Sequence, residues 1–341
     1  MTPATPAAVL CGIGSCLPAR RVGNDELAGV LDTSDEWIRS RTGIGSRHWA
    51  DPDSATSDLA VGAGRRALAS CAPEDRPGVD AVVVATTTPD RSCPATAPLV
   101  AARLGLGPVA AYDVAAVCTG FVYALASASG LIAAGIAERV LVIGADTFSS
   151  ILDPADRTTS VIFGDGAGAV VLRAGHPDEP GALGAFDLGS DGDGYDLITV
   201  RGGGSEQHLS TAAPEPGRAY FTMDGKAVFR HAVERMSRSS RTVLDRAGWE
   251  LSGLDWMVGH QANRRILDRL ADDLGVPRER SVGNIAEVGN TSAASIPLAL
   301  DDARGAGLLK PGDRVLLTAF GGGLTWGSAT LTWPGPDRFV S

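Results

Sequence analysis

Aromatic residues are scarce in this 341-residue chain, at 5%, and its five cysteines are scattered over positions 11, 16, 71, 93 and 118. No C-x-x-C pair occurs, so neither a disulfide framework nor a zinc site is indicated. Positive charge is in deficit: 30 Lys and Arg face 40 Asp and Glu, a net charge of −10. That balance argues against a general nucleic-acid-binding surface, although not against a local basic patch. Long hydrophobic runs are missing too. The most apolar stretch, Phe121 to Ala137, contains Ser127, Ser129 and two glycines and falls short of a membrane span. Met1 to Ala8 carry no Lys or Arg, and the apolar run after them breaks at Gly12 and Gly14, unlike a signal peptide. These absences lead to the expectation of a reduced, cytoplasmic, soluble protein with no nucleic acid and no membrane as partner.

What is present is globular. Hydrophobic residues make up 44% and charged residues 21%. The 43 glycines suit close backbone packing and tight turns, and the length allows two ordinary domains or one large α/β unit.

The chain repeats itself at an offset of 175. Asp80-Ala-Val-Val-Val matches Asp255-Trp-Met-Val-Gly, Arg139-Val-Leu-Val-Ile-Gly matches Arg314-Val-Leu-Leu-Thr-Ala, and Ala124-Leu125 falls on Ala299-Leu300, all at that one shift. Each half reads as the same series. A helix (Leu59 to Cys71; Val233 to Ala247) precedes a short strand (Ala81 to Ala85; Trp256 to Gly259). A second helix (Thr119 to Ala134; Ser292 to Arg304) leads to another strand (Val140 to Ile143; Val315 to Thr318) and a last one (Ala167 to Leu172; Ser328 to Trp333). The pattern predicts an α/β fold, a pseudo-twofold α-β-α-β-α sandwich of two similar halves. The expected boundaries are residues 1–188 for the first half, 189–216 for a surface connection rich in Gly, Asp, Ser and Pro, and 217–341 for the second half. Ile151 to Ser160, with a turn at Asp153-Pro154, is expected as an insertion in the first half.

The repeat has a chemical consequence. Cys118 shifted by 175 lands on Ala293, inside Asn290-Thr-Ser-Ala-Ala-Ser, and Thr86 lands on Gln261, beside His260. The cysteine and the Asn290 loop therefore belong to related strand-to-helix turns that meet at the centre of the sandwich. Cys118 opens a helix at Thr119-Gly120-Phe121, where unpaired N–H groups and the helix dipole favour a thiolate. Burial as a small hydrophobe is the ordinary fate of a free cysteine, and it stands as the alternative. His260 follows a buried strand at the sheet edge where ligands collect, or is a satisfied core histidine. Asn290 is also a plain helix-cap candidate. Together, a Cys with His and Asn permits covalent acyl transfer, with N–H donors to hold an oxyanion. The turn Phe320-Gly321-Gly322-Gly323 brings a further backbone N–H.

Two motifs are set aside. Gly164-Asp165-Gly166-Ala167-Gly168 leads into a strand, not a helix, so it is no phosphate cradle. Asp191-Gly-Asp-Gly-Tyr-Asp196 lacks Gly at loop position six and Glu at twelve, so it is no calcium loop. Basic residues cluster at Arg264, Arg265 and Arg269, with Arg41, Arg47 and Arg230. They are either a solvated face or a receiver for an anionic ligand or acidic partner.

In these features the sequence resembles the β-ketoacyl-[acyl-carrier-protein] synthase III family of the thiolase superfamily. The match rests on Asp32-Thr-Ser-Asp-Glu-Trp37-Ile with Arg41-Thr-Gly-Ile, on Asp113-Val-Ala-Ala-Val-Cys118-Thr-Gly-Phe, and on Ile162-Phe-Gly-Asp-Gly-Ala-Gly-Ala. It continues through His260-Gln-Ala-Asn263, Gly289-Asn290-Thr-Ser-Ala-Ala-Ser and Phe320-Gly-Gly-Gly-Leu-Thr-Trp. The resemblance implies a decarboxylative Claisen condensation. Cys118 takes an acyl group from acyl-CoA, His260 and Asn290 stabilise the enolate formed from malonyl-[acyl-carrier protein], and the N–H groups of Cys118 and Gly322 form the oxyanion hole. It also implies that Trp37 and Arg157 sandwich the CoA adenine and that Thr33, Arg41, Phe229, Asn263 and Arg265 line the remaining CoA path. A homodimer is expected, with no cofactor and no metal, acyl-CoA and malonyl-carrier protein being substrates.

Three departures bear on specificity. Cys93-Pro94 stands where well-known members carry Phe before the proline of a segment that closes the partner's acyl pocket, so a primer longer or bulkier than acetyl is expected unless Phe148 refills the space. Val117 and Thr119 flank the nucleophile where alanines are common. Asp272-Asp273 replace a basic pair associated with carrier-protein docking, which shifts the expected docking to Arg230, Arg264, Arg265 and Arg269. The competing functions are transfer of the acyl group to an alcohol or amine, and a non-catalytic carrier-protein-binding subunit.

Overall fold

The computed structural model describes residues 5–75, 78–207, 219–335 and 339. Two five-stranded sheets form its frame. In order across each sheet, the first runs Ala7–Cys16, Gly166–Gly175, Arg139–Asp146, Ala81–Ala85, Ala110–Val114, and the second runs Leu183–Gly189, Thr325–Thr332, Arg314–Gly321, Trp256–Gly259, Ser281–Val282. Both sheets have two antiparallel pairings at one side and two parallel ones at the other. The strand order is therefore the same in each.

Register makes the repeat exact at the centre. Val84 pairs with Ile143 in the first sheet and Gly259 with Thr318 in the second, each residue shifted by 175. The last strands break that offset. Asp146 pairs with Gly166, while Gly321 pairs with Thr325, so the first half holds 16 more residues between them (19 against 3). This is the expected insertion.

Helices Gly120–Ala133 and Ser295–Gly305 lie between the sheets and share one core with both, built from residues such as Phe121, Leu125, Val142, Ile296, Leu300 and Leu317. Thr56–Ser70 and Ala97–Arg103 cover the outer face of the first sheet, and Gly225–Ala247 and Arg264–Leu274 that of the second. Central strands buried on both faces read as apolar runs rather than alternations, which is why Ala81–Ala85 is Ala-Val-Val-Val-Ala. The five layers are the expected α-β-α-β-α sandwich.

Two corrections follow. Leu183–Gly189 pairs with Thr325–Thr332, so the boundary at 188 falls inside a strand of the second sheet. Residues 189–207 are not only surface connection either: Ile198–Val200 pairs with Phe221–Met223. The rest of that stretch, 208–216, lies outside the described residues.

Candidate active site

Where the two halves meet, each strand-to-helix turn is a short 3-10 helix, Val117–Thr119 in one and Ser292–Ala294 in the other. Their first residues are 175 apart and both adopt the left-handed conformation without being glycine: Val117 has φ 48° and Ser292 φ 51°. Such a backbone costs free energy and persists where the surroundings impose it. Here it aims Cys118 inward at the start of its helix.

A narrow cavity of about 40 Å³ is lined by Cys118, His260 and Asn290 together with apolar side chains, among them Phe163, Phe221, Met236 and Phe320. The thiol, imidazole and carboxamide foreseen in the sequence thus share one buried space. The His260 ring is fixed by its Nδ1, which lies 2.6 Å from Ser295 Oγ. That oxygen also accepts the Gln261 N–H at 3.3 Å. In the tautomer in which Ser295 donates its proton to Nδ1, the N–H is carried on Nε2. Burial lowers the imidazole to about 3, so it is neutral at physiological pH.

Asn290 is clamped through its backbone: its N–H donates to Ile162 O and its carbonyl accepts from Gly164 N, both at 2.9 Å. Its side-chain oxygen accepts the Ser292 N–H at 2.9 Å, so the amide NH₂ is what remains to serve the cavity. The segment Ile162–Gly164 ends the insertion of the first half and carries the Asn290 loop of the second. Ser295 was not singled out from the sequence; the offset could have found it, since it is the counterpart of Gly120 and so begins the helix after the turn.

The thiolate expected at Cys118 is not what the surroundings favour. Burial, and next the negative charge of Asp146, push the thiol up to about 12, against smaller lowering by the Ser292 hydroxyl and its own N–H. Desolvation outweighs the helix dipole. Gly321 sits against this turn; a Cβ there would lie 2.9 Å from Cys118 N. A Cβ on Gly322 would lie 3.0 Å from the Val117 side chain. The two glycines let the Phe320–Gly323 backbone close on the nucleophile.

The residues expected along a CoA path lie on neighbouring elements. The Arg157 guanidinium faces the Trp37 ring, 5.4 Å from its centroid, and pairs with Asp32 at 2.8 Å on the surface. Asn263 caps its helix by accepting the Arg265 N–H at 2.9 Å and donates to Arg41 O at 3.1 Å, tying helix Arg264–Leu274 to helix Asp35–Thr42. Thr33 is partly buried and its hydroxyl has no hydrogen-bond partner among the described residues. Phe229 is half-buried beside exposed Arg230.

Other expectations are corrected. Arg47 is not part of a basic surface: it is fully buried, held by Asn24 Oδ1 at 2.8 Å and Val161 O at 2.6 Å, and burial lowers it to about 10. Arg264 and Arg269 are tied to Asp268 and Asp273 on their own helix, at 2.7 and 2.9 Å, whereas Arg230 and Arg265 have no carboxylate partner among the described residues. Phe148 does not line the cavity. It lies behind the wall, stacked on Phe163 at 4.2 Å and edge-on to Phe221 at 5.0 Å. Thr119 turns away as well, bonding Ala116 O at 2.9 Å and the Thr325 hydroxyl. Cys93, expected to act at the partner's pocket and not at its own, is exposed next to a cis Pro94. Gly164-Asp165 leads into strand Gly166–Gly175, and Asp165 is buried and accepts from Ala50 N and Ser149 N, both at 2.7 Å.

Among the described residues no group of three or more His, Cys, Asp or Glu is placed to hold a metal, and no helix is long and apolar enough to cross a membrane.

Residues 112–192 match the family described as 3-oxoacyl-[acyl-carrier-protein (ACP)] synthase III, and residues 244–333 match its C-terminal part. A curated relative from Streptomyces coelicolor, beta-ketoacyl-[acyl-carrier-protein] synthase III 3, is 66% identical over 335 residues, spanning 98% of this chain and 99% of its own. The crystal structure of 3-oxoacyl-(acyl carrier protein) synthase III from Pseudomonas aeruginosa superposes with a TM-score of 0.89 at 55% identity, covering 98% of this chain and 100% of that one. The priming β-ketosynthase from the R1128 polyketide biosynthetic pathway is also similar, with a TM-score of 0.89 at 36% identity over 98% and 99% of the two chains.

Proposed function

The chain belongs to the 3-oxoacyl-[acyl-carrier-protein] synthase III family, and we propose that it joins an acyl group from acyl-CoA to malonyl-[acyl-carrier protein] with loss of CO₂. The observation that carries this reading is the shared cavity of Cys118, His260 and Asn290. A thiol alone exchanges acyl groups. Two neutral N–H donors beside it are what an enolate oxygen requires and what simple transfer to an alcohol does not.

In the first half-reaction the Cys118 sulfur attacks the thioester carbon, and the N–H groups of Cys118 and Gly322 receive the oxyanion. CoA leaves and the malonyl carrier protein enters. Loss of CO₂ leaves an enolate whose oxygen is met by His260 Nε2–H and the Asn290 NH₂, and its carbon attacks the Cys118 thioester. A neutral imidazole suits this role, since it donates without adding charge to a buried space.

CoA enters past Trp37, Arg157, Thr33, Arg41, Phe229, Asn263 and Arg265. Arg157 has to swing off Trp37 to admit the adenine, and the exposed pair with Asp32 that it leaves contributes little. The carrier protein docks on Arg230 and Arg265, the two of the four expected docking arginines with no carboxylate partner among the described residues. A homodimer is supported by strand Ala110–Val114, which lies at the edge of its sheet. In that dimer exposed Cys93 closes the partner's acyl pocket less tightly than a Phe would, so the primer is longer or bulkier than acetyl. The condensation opens a fatty-acid or polyketide chain.

The test is a series of acyl-CoAs from acetyl to octanoyl supplied with malonyl carrier protein, the product read by mass. A 3-oxoacyl carrier protein, formed best from a primer beyond acetyl, is expected. A preference for acetyl-CoA would overturn the pocket, and no condensation with any primer would overturn the function.

A further inference from the structure

In the function proposed above, the acyl oxyanion is received by N–H groups on two turns from opposite halves of the chain, Val117–Thr119 and Gly322–Leu324. Both turns are strained. Val117, just before Cys118, has φ 48°, and Leu324, two residues after Gly322, has φ 45°. Neither is glycine, and such a backbone persists where the surroundings impose it. The turns also touch, since a Cβ on Gly322 would lie 3.0 Å from the Val117 side chain. Packing alone sets no register between two amides that must point at one atom.

A pair of hydroxyls fastens one turn to the other. Thr325 Oγ1 lies 3.1 Å from Gly322 O and 3.4 Å from Ala116 O, and it bonds the Thr119 hydroxyl. Thr119, fully buried, donates in turn to Ala116 O at 2.9 Å, an oxygen that also accepts the Thr119 N–H at 3.1 Å. Each carbonyl so held belongs to the peptide next to the one whose N–H serves the oxyanion. Closing a turn does not require this link. In the first half Ser150 Oγ donates to Thr147 O at 2.7 Å, which is the Thr325–Gly322 bond displaced by 175. Thr119, however, is mirrored by Ala294, which has no hydroxyl. The bond across the halves therefore forms at the cysteine turn and has no counterpart at the Asn290 turn.

We propose that Thr325 is a positioning residue for acyl transfer, holding the Gly322 turn in register with the Cys118 turn so that both N–H groups meet the same oxygen. It acts through Gly322 and Thr119 and not on the substrate. Without its hydroxyl the two strained turns are free to relax apart, and a donor displaced from a developing oxyanion loses much of its effect. The inference rests on the acyl transfer proposed above.

The test compares two reactions of Cys118, one that builds an oxyanion and one that does not. Acyl loading is followed by intact mass, from the acyl-CoA that loads the parent fastest and from butanoyl-N-acetylcysteamine, a thioester without the nucleotide. Iodoacetamide, in contrast, loses iodide from a saturated carbon and places no charge on a carbonyl oxygen. In Thr325→Val, which keeps the shape and removes the hydroxyl, the maximal loading rate should fall about tenfold or more at a near-parental half-saturating concentration, with alkylation within about twofold of the parent. Thr325→Ser, which keeps the hydroxyl, should load at near the parental rate. Thr325→Ala carries the same expectation as the valine variant and replaces it if that variant does not fold. Parental loading without the hydroxyl would overturn the proposal, as would loading and alkylation slowed to the same degree, the mark of a general disturbance of the turn. A parent that loads from the short thioester and from no acyl-CoA would overturn the proposed function, with the Thr325 comparison still read on the short thioester. Loading from neither donor would overturn both.

Discussion

Asp146 and Gly321 occupy the same point of the two sheets, the last residue of corresponding strands 175 positions apart, and they treat the neighbouring turn in opposite ways. The Asp146 carboxylate accepts the N–H of Ala293 at 3.1 Å, while Gly321 leaves room beside the N–H of Cys118, the residue that Ala293 mirrors. In one half the amide is capped; in the other it is open to an oxyanion. The imidazole has diverged in the same manner. His260 and Ser295 are mirrored by Ala85 and Gly120, so each half has kept one part of the chemistry and given up the other.

Filling that space should be felt by the chemistry before the fold. In Gly321→Ala the new methyl group crowds Cys118 N, whereas the backbone there is extended, with φ −153°, and tolerates alanine. Acyl loading of Cys118 should fall by about 10²–10³-fold, as for loss of one oxyanion donor. Stopped-time mass measurement of the acylated protein checks this.

Ser295→Ala removes the hydroxyl that holds His260 Nδ1 at 2.6 Å. The imidazole is then free to turn and to change tautomer. Decarboxylation of malonyl carrier protein should drop by about tenfold or more, within the range of acid–base and orienting groups, while acyl loading stays near parental. Radiolabelled CO₂ release measured beside loading separates the two.

Stability should depend on pH through His260. Its folded value, about 3, lies below the ordinary 6.5, so its contribution is full above 6.5 and is lost as pH falls toward 3. Asp146 works the other way, because its raised carboxyl binds a proton sooner when folded than when unfolded. Urea midpoints of the parent and of His260→Asn isolate the histidine. Between pH 6.5 and 4.5 the parent should lose about 2 kcal/mol more than the variant.

Phe148 supports the cavity wall from behind, through Phe163 and Phe221. Its truncation to alanine should cost about 3–5 kcal/mol of stability, measured by chemical unfolding. Because the loss lies behind the wall, longer primers should be accepted better relative to acetyl in the surviving enzyme.

The sequence made the layers readable because the central strands and helices repeat at one spacing, and pairing of Val84 with Ile143 and of Gly259 with Thr318 reproduces that spacing in the register. The edge strands were harder. Leu183–Gly189 alternates weakly, and only its pairing partner, Thr325–Thr332, reveals that it belongs to the second sheet. At the site, Cys118, His260 and Asn290 stood out by residue type and by position at strand ends. Ser295 and Asp146 did not, since a serine in a helix start and an aspartate after a strand are ordinary, and what distinguishes them is burial and aim. The thiolate at Cys118 failed as an expectation for the same reason: the dipole can be read from a helix start, but desolvation and the Asp146 charge come from distant chain.

The central claim is a division of labour within one cavity: sulfur carries the acyl group, and the imidazole and carboxamide make the carbon nucleophile. The most direct measurement follows both half-reactions in Asn290→Ala, with acyl-CoA loading read by intact mass and CO₂ release read from malonyl carrier protein. The account predicts a Cys118 acyl adduct formed at near parental rate and CO₂ release lowered by about two orders of magnitude or more. Parental CO₂ release from that variant, or loading lost with it, would contradict the account.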